Sequence, residues 1–564
     1  MAEQPFPNRF FGADEPPEPR RRLGVVVGGS LTEGLSVKLD RDTYLEGLAV
    51  GSYVTIDGQT GRRFFGLITD IVLEAVDQDV QKMPPADDDG LLAQVYRGTT
   101  VYGALRVSPM LALEGEAGEP RPVKTVPSHF TAVWHSTAAE VEMIFAAGRG
   151  DSPARPYEVG STVEDETIKI KLDLPRLVER SSAVFGRSGT GKTFLTLPLL
   201  AGIIQQDIAS ALVFDMHNDY GYTLKGDRGR QFRGLKQLGS IAGRVVIATL
   251  DEESSRRRES RPDFALQIGF DQIEPEDIET LQKVLALSDV QVNALYALHR
   301  AFGRDWVSAL LAEEADEKLK ELLERGKIAE GTYGAMQRKI SKLLRLKFLR
   351  PRAADDFVER ILNHLTRGDS VVIEFGSTTS LDAYVFVSNF ITRRIHARYV
   401  EMKERAEGGL GPQPRQLVIA VEEAHKFLDP DVVEFTIFGT IARELRKYNV
   451  TLLIVDQRPS QIAAEVMSQI GTRITCALSD EKDIAAVFTG VSGAQQLRSV
   501  LASLDSKQQA LIMGHAVPMP VVVRTREYGE AVYQEYAAPS QPADERRRAN
   551  ARKLGRDEPD SLLG

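Results

Sequence analysis

The sequence predicts an α/β protein: a mostly parallel sheet with helices on it, interrupted by a helical insertion and preceded by a small β-barrel. Three observations carry this. Apolar strand-like runs alternate with helical stretches from about 166 to 270 and again after 366. Between about 273 and 366 the strand signals give way to amphipathic helical periodicity. Ahead of 165, short β-rich runs are separated by Gly, Asp and Asn/Thr turns.

Taken in order, residues 1–21 are rich in Pro, Glu and Arg and are expected to be a disordered tail. The barrel is expected over 22–165, from the runs LGVVVGGS, LSVKLD, SYVTIDG, RFFGLITDIVLEAV and VYGALRVSPMLAL, with QDVQKMPPADDDGLL as a loop. The α/β domain is expected over 166–536. Its strands are SSAVFG, ALVFD, RVVIATL, SVVIEF, QLVIAV, TLLIVD and ITCAL, with helices through TFLTLPLLAGIIQQ, at about 380–405 and near 433–447. The insertion at about 273–366 holds IETLQKVLALSDVQVNALYALHRAF, LLAEEADEKLKELLERG and TYGAMQRKISKLLRLKFL. The charged tail 537–564 is expected to be disordered or a docking arm.

The bulk properties narrow the class. A length of 564 residues suggests roughly three or four domains. Hydrophobic residues at 42% and charged residues at 27% are those of a globular chain. The single cysteine, Cys476, excludes an internal disulfide and a cysteine-based metal site, and it reads as a small buried residue. No apolar run approaches the roughly 18–20 residues that span a membrane, and the N-terminus lacks a signal-peptide core. A cytoplasmic location is therefore expected. A net charge of −10 argues against a surface that coats nucleic acid, but is silent on a local basic channel.

The chemistry starts at 186–193. GRSGTGKT fits G-x-x-x-x-G-K-[ST], follows an apolar strand and opens an apolar helix. Gly186, Gly189 and Gly191 allow the tight turn, and with Ser188 and Thr190 they form a loop whose backbone amides face phosphate oxygens. The helix N-terminus adds partial positive charge. Lys192 is expected on the β- and γ-phosphates and Thr193 on Mg²⁺. Such a loop needs acids at a neighbouring strand end, and LVIAVEEAHKF supplies Glu422 and Glu423. Glu422 is expected to hold the Mg²⁺ shell and Glu423 to orient the attacking water. Alone, the pair would equally suit the solvated start of a helix.

Other strand ends carry polar groups. Asp215, His217 and Asp219 follow LVF at the edge where such sheets bind ligands. Gln457 follows TLLIVD and is expected near the γ-phosphate as a sensor. In IARELRKYN, Arg443 and Arg446 are three apart on one expected helix, so they share a face. An arginine reaching a neighbouring subunit's nucleotide would stabilise the transferring phosphoryl group; a solvated basic face is the other reading.

Together these parts resemble the HerA family of hexameric DNA translocases, relatives of the FtsK motors, over roughly 22–530. The resemblance is carried by the N-terminal barrel, GRSGTGKT, DMHNDYG, VEEAHKF and IARELRKYNVTLLIVDQRPS, the last block being the most specific. It implies a RecA-like P-loop NTPase core that binds ATP and Mg²⁺, with Lys192 and Thr193 in the Walker A motif and Glu423 as catalytic glutamate. Asp215 and His217 would stand beside the nucleotide, with Arg443 and Arg446 as the paired arginines and Gln457 as the polar residue after the fourth strand. Two positions depart from the pattern: Glu422 stands where Asp is frequent, and DQRPS replaces SQRPS, bringing in Asp456.

The resemblance further implies a homohexamer with ATP at subunit interfaces and double-stranded DNA in the central pore. The barrel would dock a NurA-type nuclease in DNA end processing. Alternatively, the ring would scaffold another effector, such as a nuclease or sirtuin-type NADase, in anti-phage defence. A conjugative or secretion ATPase is a more distant reading. The basic segments KGDRGRQFRG (225–234), RRRESR (256–261) and KISKLLRLKFLRPR (339–352) are candidate DNA contacts or plain solvated faces.

Overall fold

A computed structural model describes residues 20–538 apart from 77–79, 81, 83–94, 97–99, 115–119, 147–154, 227–228, 313–316, 354, 492 and 506–507. The tails expected at 1–21 and 537–564, and the loop at 78–92, fall almost entirely outside the described residues. The chain forms two compact units, one of residues up to Pro175 with Thr472–Arg526, the other of Arg176–Gly471 with residues from Glu527.

The first unit begins with β1 (Arg22–Ser30), β2 (Gly34–Leu39), β3 (Tyr53–Asp57), β4 (Arg62–Ala75), β5 (Val101–Glu114) and β6 (Ala132–His135). Their order is β2-β1-β6-β3-β4-β5, and β2 also pairs with β5, so the sheet closes into a barrel. Alternation drives closure: Val37, Val54, Ile56, Ile68, Leu105, Val107 and Val133 all point into one core. The long β4 bends through irregularities at Phe65/Gly66 and Ile68/Asp70. Two further strands, β7 (Pro156–Ser161) and β8 (Lys169–Asp173), lie outside the barrel.

The second unit is built on β9 (Ser182–Phe185), β10 (Ser210–Asp215), β11 (Val245–Thr249), β12 (Ser370–Glu374), β13 (Leu417–Glu422) and β14 (Val450–Asp456). Their order is β11-β12-β10-β13-β14-β9, and every pairing is parallel. Every residue in these six strands is buried. Runs such as SVVIE and VTLLIVD are therefore almost continuously apolar, as a sheet covered on both faces requires.

The helices that matter for the site are α1 (Lys192–Gln205), α2 (Phe357–Arg367), α3 (Leu381–Glu407) and α4 (Ile437–Glu444). Helix α2 starts where the Asp356 carboxylate accepts from the Val358 and Glu359 amides, and it ends at Gly368 with φ 95°. It packs on β10 and β12, so it is a crossover helix of the sheet rather than part of the insertion, which is shorter than the expected 273–366. The remaining inserted helices include Asp289–Phe302 and Glu330–Leu343. Trp306, fully buried, donates Nε1–H to the Ile273 carbonyl at 2.8 Å, and Arg393 and Arg394 of α3 clamp Asp277 at 2.9 Å.

The expected boundary at 165/166 and the single domain running to 536 differ from the observed grouping. Beyond β14 come β15 (Thr472–Cys476), β16 (Gln509–Gly514) and β17 (Val521–Thr525), which pair antiparallel in the order β15-β16-β17-β7-β8. Helix α5 (Ala494–Ala502) seals this piece to the barrel: Ser108 Oγ donates to Gln496 Oε1 at 2.9 Å and Ser499 Oγ to the Thr69 carbonyl at 3.0 Å. A hairpin-linked sheet and a docked helix thus tie 472–526 to the N-terminal unit.

Candidate nucleotide site

Four neighbouring strands of the parallel sheet end in a carboxylate: Glu374 on β12, Asp215 on β10, Glu422 on β13 and Asp456 on β14. Pairing puts them in one row, with Asp215 opposite Glu374, Glu422 opposite Val455, and Asp456 opposite Phe185, which opens the P-loop. All four are buried, and each is answered differently.

Glu374 is held by Arg258 at 2.9 Å and by the Ser260 and Ser255 hydroxyls. Arg258 therefore leaves the expected basic face 256–261 and turns inward. Removing it should strand a fully buried carboxylate. Arg258→Ala is expected to cost about 2–3 kcal/mol, below the usual figure for a fully buried pair because Arg258 is partly exposed. The urea midpoint measures this, and an unshifted midpoint would mean that the two serines suffice.

Asp215 spends both oxygens on the turn that follows it, accepting the Asp219 and Tyr220 amides at 2.8 Å each. Burial outweighs these bonds and pushes its carboxyl up to about 7. His217 stands exposed on the same turn. Asn218, at φ 61°, exchanges side-chain bonds with the Gly376 backbone at 3.1 and 2.9 Å. The turn thus faces Asp215 inward and His217 outward.

Glu422 accepts from Tyr220 Oη at 3.0 Å through Oε1, while Oε2 is buried without a hydrogen-bond partner among the described residues. Burial, then the nearby Asp215 charge, pushes this carboxyl up to about 8. Tyr384 Oη fixes the Glu422 carbonyl at 3.0 Å. Glu423 has φ 50°, a left-handed conformation costing a non-glycine residue roughly 1–3 kcal/mol. Its carboxylate accepts from Gln457 Nε2 at 3.0 and 3.2 Å, so the expected sensor and the second acid touch.

The P-loop leaves β9 with the Gly186 amide on the Asp456 carbonyl at 3.2 Å. Gly189 and Gly191 have φ 78° and 97°, and a Cβ on either would meet nothing within 4 Å. Backbone amides there are open to a phosphate-sized anion. Thr190 Oγ1 and Lys192 Nζ brace the loop on the carbonyls of Arg187 (2.8 Å) and Gly186 (2.7 Å). Ser188 is exposed, and Thr193 lies half-buried in the first turn of α1. The cradle fits phosphates, and an unpartnered buried oxygen on Glu422 fits a cation shell; Thr193 and Glu422 are the residues that would hold Mg²⁺.

Arg443 and Arg446 do not share one α-helix as expected. Helix α4 stops at Glu444 and tightens to a 3-10 turn, Leu445–Tyr448, because Asn449 at φ 59° must reverse the chain into β14. Arg443 pairs with Glu465 at 3.2 Å; the Arg446 side chain is outside the described residues. Both arginines precede β14 at the end of the sheet where strands begin, whereas the P-loop lies where they finish.

Sequence reasoning missed Tyr220, Tyr384, His425 and Glu374. His425 lies inside the motif VEEAHKF, and Glu374 ends an apolar strand as Asp215 and Asp456 do, so both had a signal. Tyr220 likewise lies inside DMHNDYG, whereas Tyr384, within an apolar helical stretch, had none.

A parallel sheet with a P-loop at one strand end and paired acids at another defines a P-loop ATPase. Two family profiles match: the HAS barrel domain over residues 23–88 and the Helicase HerA central domain over 157–395. The chain belongs to the HerA family, among the HerA–FtsK-like P-loop ATPases. It is 22% identical over 537 residues to the DNA double-strand break repair helicase HerA of Sulfurisphaera tokodaii, covering 90% of this chain and 93% of that one. It is 24% identical over 400 residues to the HerA helicase of Pyrococcus furiosus, covering 66% and 70%. Among solved structures, the bacterial conjugative coupling protein TrwBdeltaN70 aligns with a TM-score of 0.45 and 11% identity, covering 72% of this chain and 94% of that one. Among the described residues, no helix is long and apolar enough to cross a membrane.

Proposed function

We propose that this ATPase is a HerA-type motor that couples ATP hydrolysis to movement along double-stranded DNA, as a homohexameric ring with a nuclease partner on its barrel. The observation that carries the reading is the division of the site. The P-loop, Glu422, Glu423 and Gln457 gather at one end of the sheet, and the arginines lie at the other. A subunit so built holds a nucleotide on one side and offers an arginine to a neighbour on the other.

In this reading the P-loop amides and Lys192 hold the β- and γ-phosphates, and Mg²⁺, once bound by Thr193 and Glu422, neutralises phosphate charge. Glu423 orients the attacking water and takes up its proton. Gln457, bonded to Glu423, reports the γ-phosphate. Asp215 acts by shaping the turn that carries His217 and Tyr220. The names of the relatives, which are DNA double-strand break repair helicases, support DNA as the track.

The inserted basic segment is the best-presented DNA contact, because Lys342, Arg345, Lys347, Arg350 and Arg352 are all exposed. In the 225–234 segment, Arg233 stacks on Tyr533 at 4.7 Å. DNA held through phosphates releases counterions, so DNA-stimulated ATPase should weaken by on the order of 10³-fold in DNA affinity between 50 and 200 mM salt if about six phosphates are engaged. Titration of DNA at several salt concentrations tests this; a salt-independent half-saturation point would overturn phosphate-led binding.

A further inference from the structure

Asp456 is a buried carboxylate with four short contacts. It accepts the His425 amide at 2.7 Å and the Arg458 amide at 2.7 Å, and it receives His425 Nδ1 at 3.0 and 3.1 Å. The first two come from the backbone of two loops, one after β13 and one after β14. The imidazole is therefore locked in orientation, since its Nδ1 is committed to Asp456. The opposite nitrogen, Nε2, then faces Glu423 Oε2 at 3.8 Å. On its other flank Glu423 receives Gln457 Nε2.

We propose that Asp456 and His425 form a positioning pair for Glu423: the buried carboxylate aims the imidazole, and the imidazole with Gln457 confines the glutamate from two sides. This rests on the reading of Glu423 as the residue that orients water. The physical need is visible at Glu423 itself. Its backbone is left-handed and its side chain is only partly covered, so neither backbone preference nor packing alone would keep one rotamer. Two polar neighbours supply the constraint instead. Asp456 also accepts the amide of Arg458 and gives its own carbonyl to the P-loop Gly186 amide, so the pair is tied to the loop that carries the phosphates.

The test is steady-state ATPase kinetics on full-length His425→Gln, Asp456→Asn and the double variant, with ATP-analogue binding and thermal melting on each. A glutamate displaced by about an ångström should lose on the order of 10–100-fold in kcat. KM and analogue affinity should stay within about twofold, because the Asp456 side chain contacts His425 and the Arg458 amide, and only its backbone carbonyl meets the P-loop. The double variant should be no slower than the slower single, since the two act through one another. In a Glu423→Gln background, His425→Gln should add nothing.

Unchanged kcat in both singles, or losses that multiply in the double, would overturn the pair. A loss of analogue binding or melting that parallels the loss of kcat would assign Asp456 and His425 to the fold alone, and would also overturn it. Should Glu423→Gln itself turn over ATP at the normal rate, the water-orienting reading falls, an outcome separate from a failure of the pair.

Discussion

Chains carrying Lys192→Ala and chains carrying Arg446→Ala should each lose on the order of 10³-fold or more in ATP turnover, yet mixing them should restore activity. The expectation comes from the length of one strand. Phe185, which opens the P-loop, pairs with Asp456 at the end of β14, and Val450 begins that strand. Six residues of extended chain separate these ends by about 20 Å, and Arg446 precedes Val450 by four more residues. An arginine side chain is shorter than that distance, so Arg446 is not expected to serve its own subunit's P-loop. In the proposed ring the contact would be head-to-tail, and the arginine end of one subunit would meet the nucleotide end of the next. A one-to-one mixture then pairs an intact P-loop with an intact arginine at roughly a quarter of interfaces, and turnover should approach that fraction of wild type. Mixtures as inert as the separate chains would mean that Arg446 acts within its own subunit or has no role. Arg443 serves as the internal comparison: already paired with Glu465, it should give a smaller loss when replaced by Ala.

Glu423→Gln is expected to bind ATP as wild type does and to hydrolyse it about 10²–10⁴-fold more slowly. The amide keeps the size and the contact with Gln457, but it cannot take a proton from water. The neighbouring acid is no substitute. Glu422 is buried, with one oxygen bonded to Tyr220 and the other assigned to the cation shell, so neither is offered to the attacking water where Glu423 stands. Equilibrium binding of a fluorescent ATP analogue, run beside single-turnover hydrolysis, separates the two effects. Loss of binding in step with hydrolysis would show that Glu423 serves the fold or the nucleotide rather than the water.

Much of this site was legible because it lies where the chain changes character. GRSGTGKT, VEEAHKF and DQRPS each interrupt an apolar run, and a buried parallel strand ends at its first unavoidable polar group. The positions of Lys192, Glu422, Glu423 and Gln457 follow from that rule. What each acid does there does not follow, because it depends on partners distant in sequence: Arg258 for Glu374, Tyr220 for Glu422, His425 for Asp456. DMHNDYG made Asp215 look ligand-facing, whereas its oxygens close the turn. The break between Arg443 and Arg446 escaped helical spacing because one left-handed Asn449 governs it. The grouping of 472–526 with the barrel escaped too, since ITCAL reads the same whether its next neighbour is parallel or antiparallel.

The pairing of Leu35–Lys38 in β2 with Ala104–Val107 in β5 closes the ring of described strands and covers both of those edges. At that seam, among the described residues, an incoming chain finds no row of unpaired amides and carbonyls to extend, and strand addition, a common way of recruiting a peptide, is closed to it there. Whatever attaches must read side chains and turns. Those on offer include Leu73, Val76 and Tyr44, each more than 70% exposed on or near the barrel wall. On such a surface selectivity rests on side chains rather than on the backbone, so substitutions there leave the barrel beneath as it is.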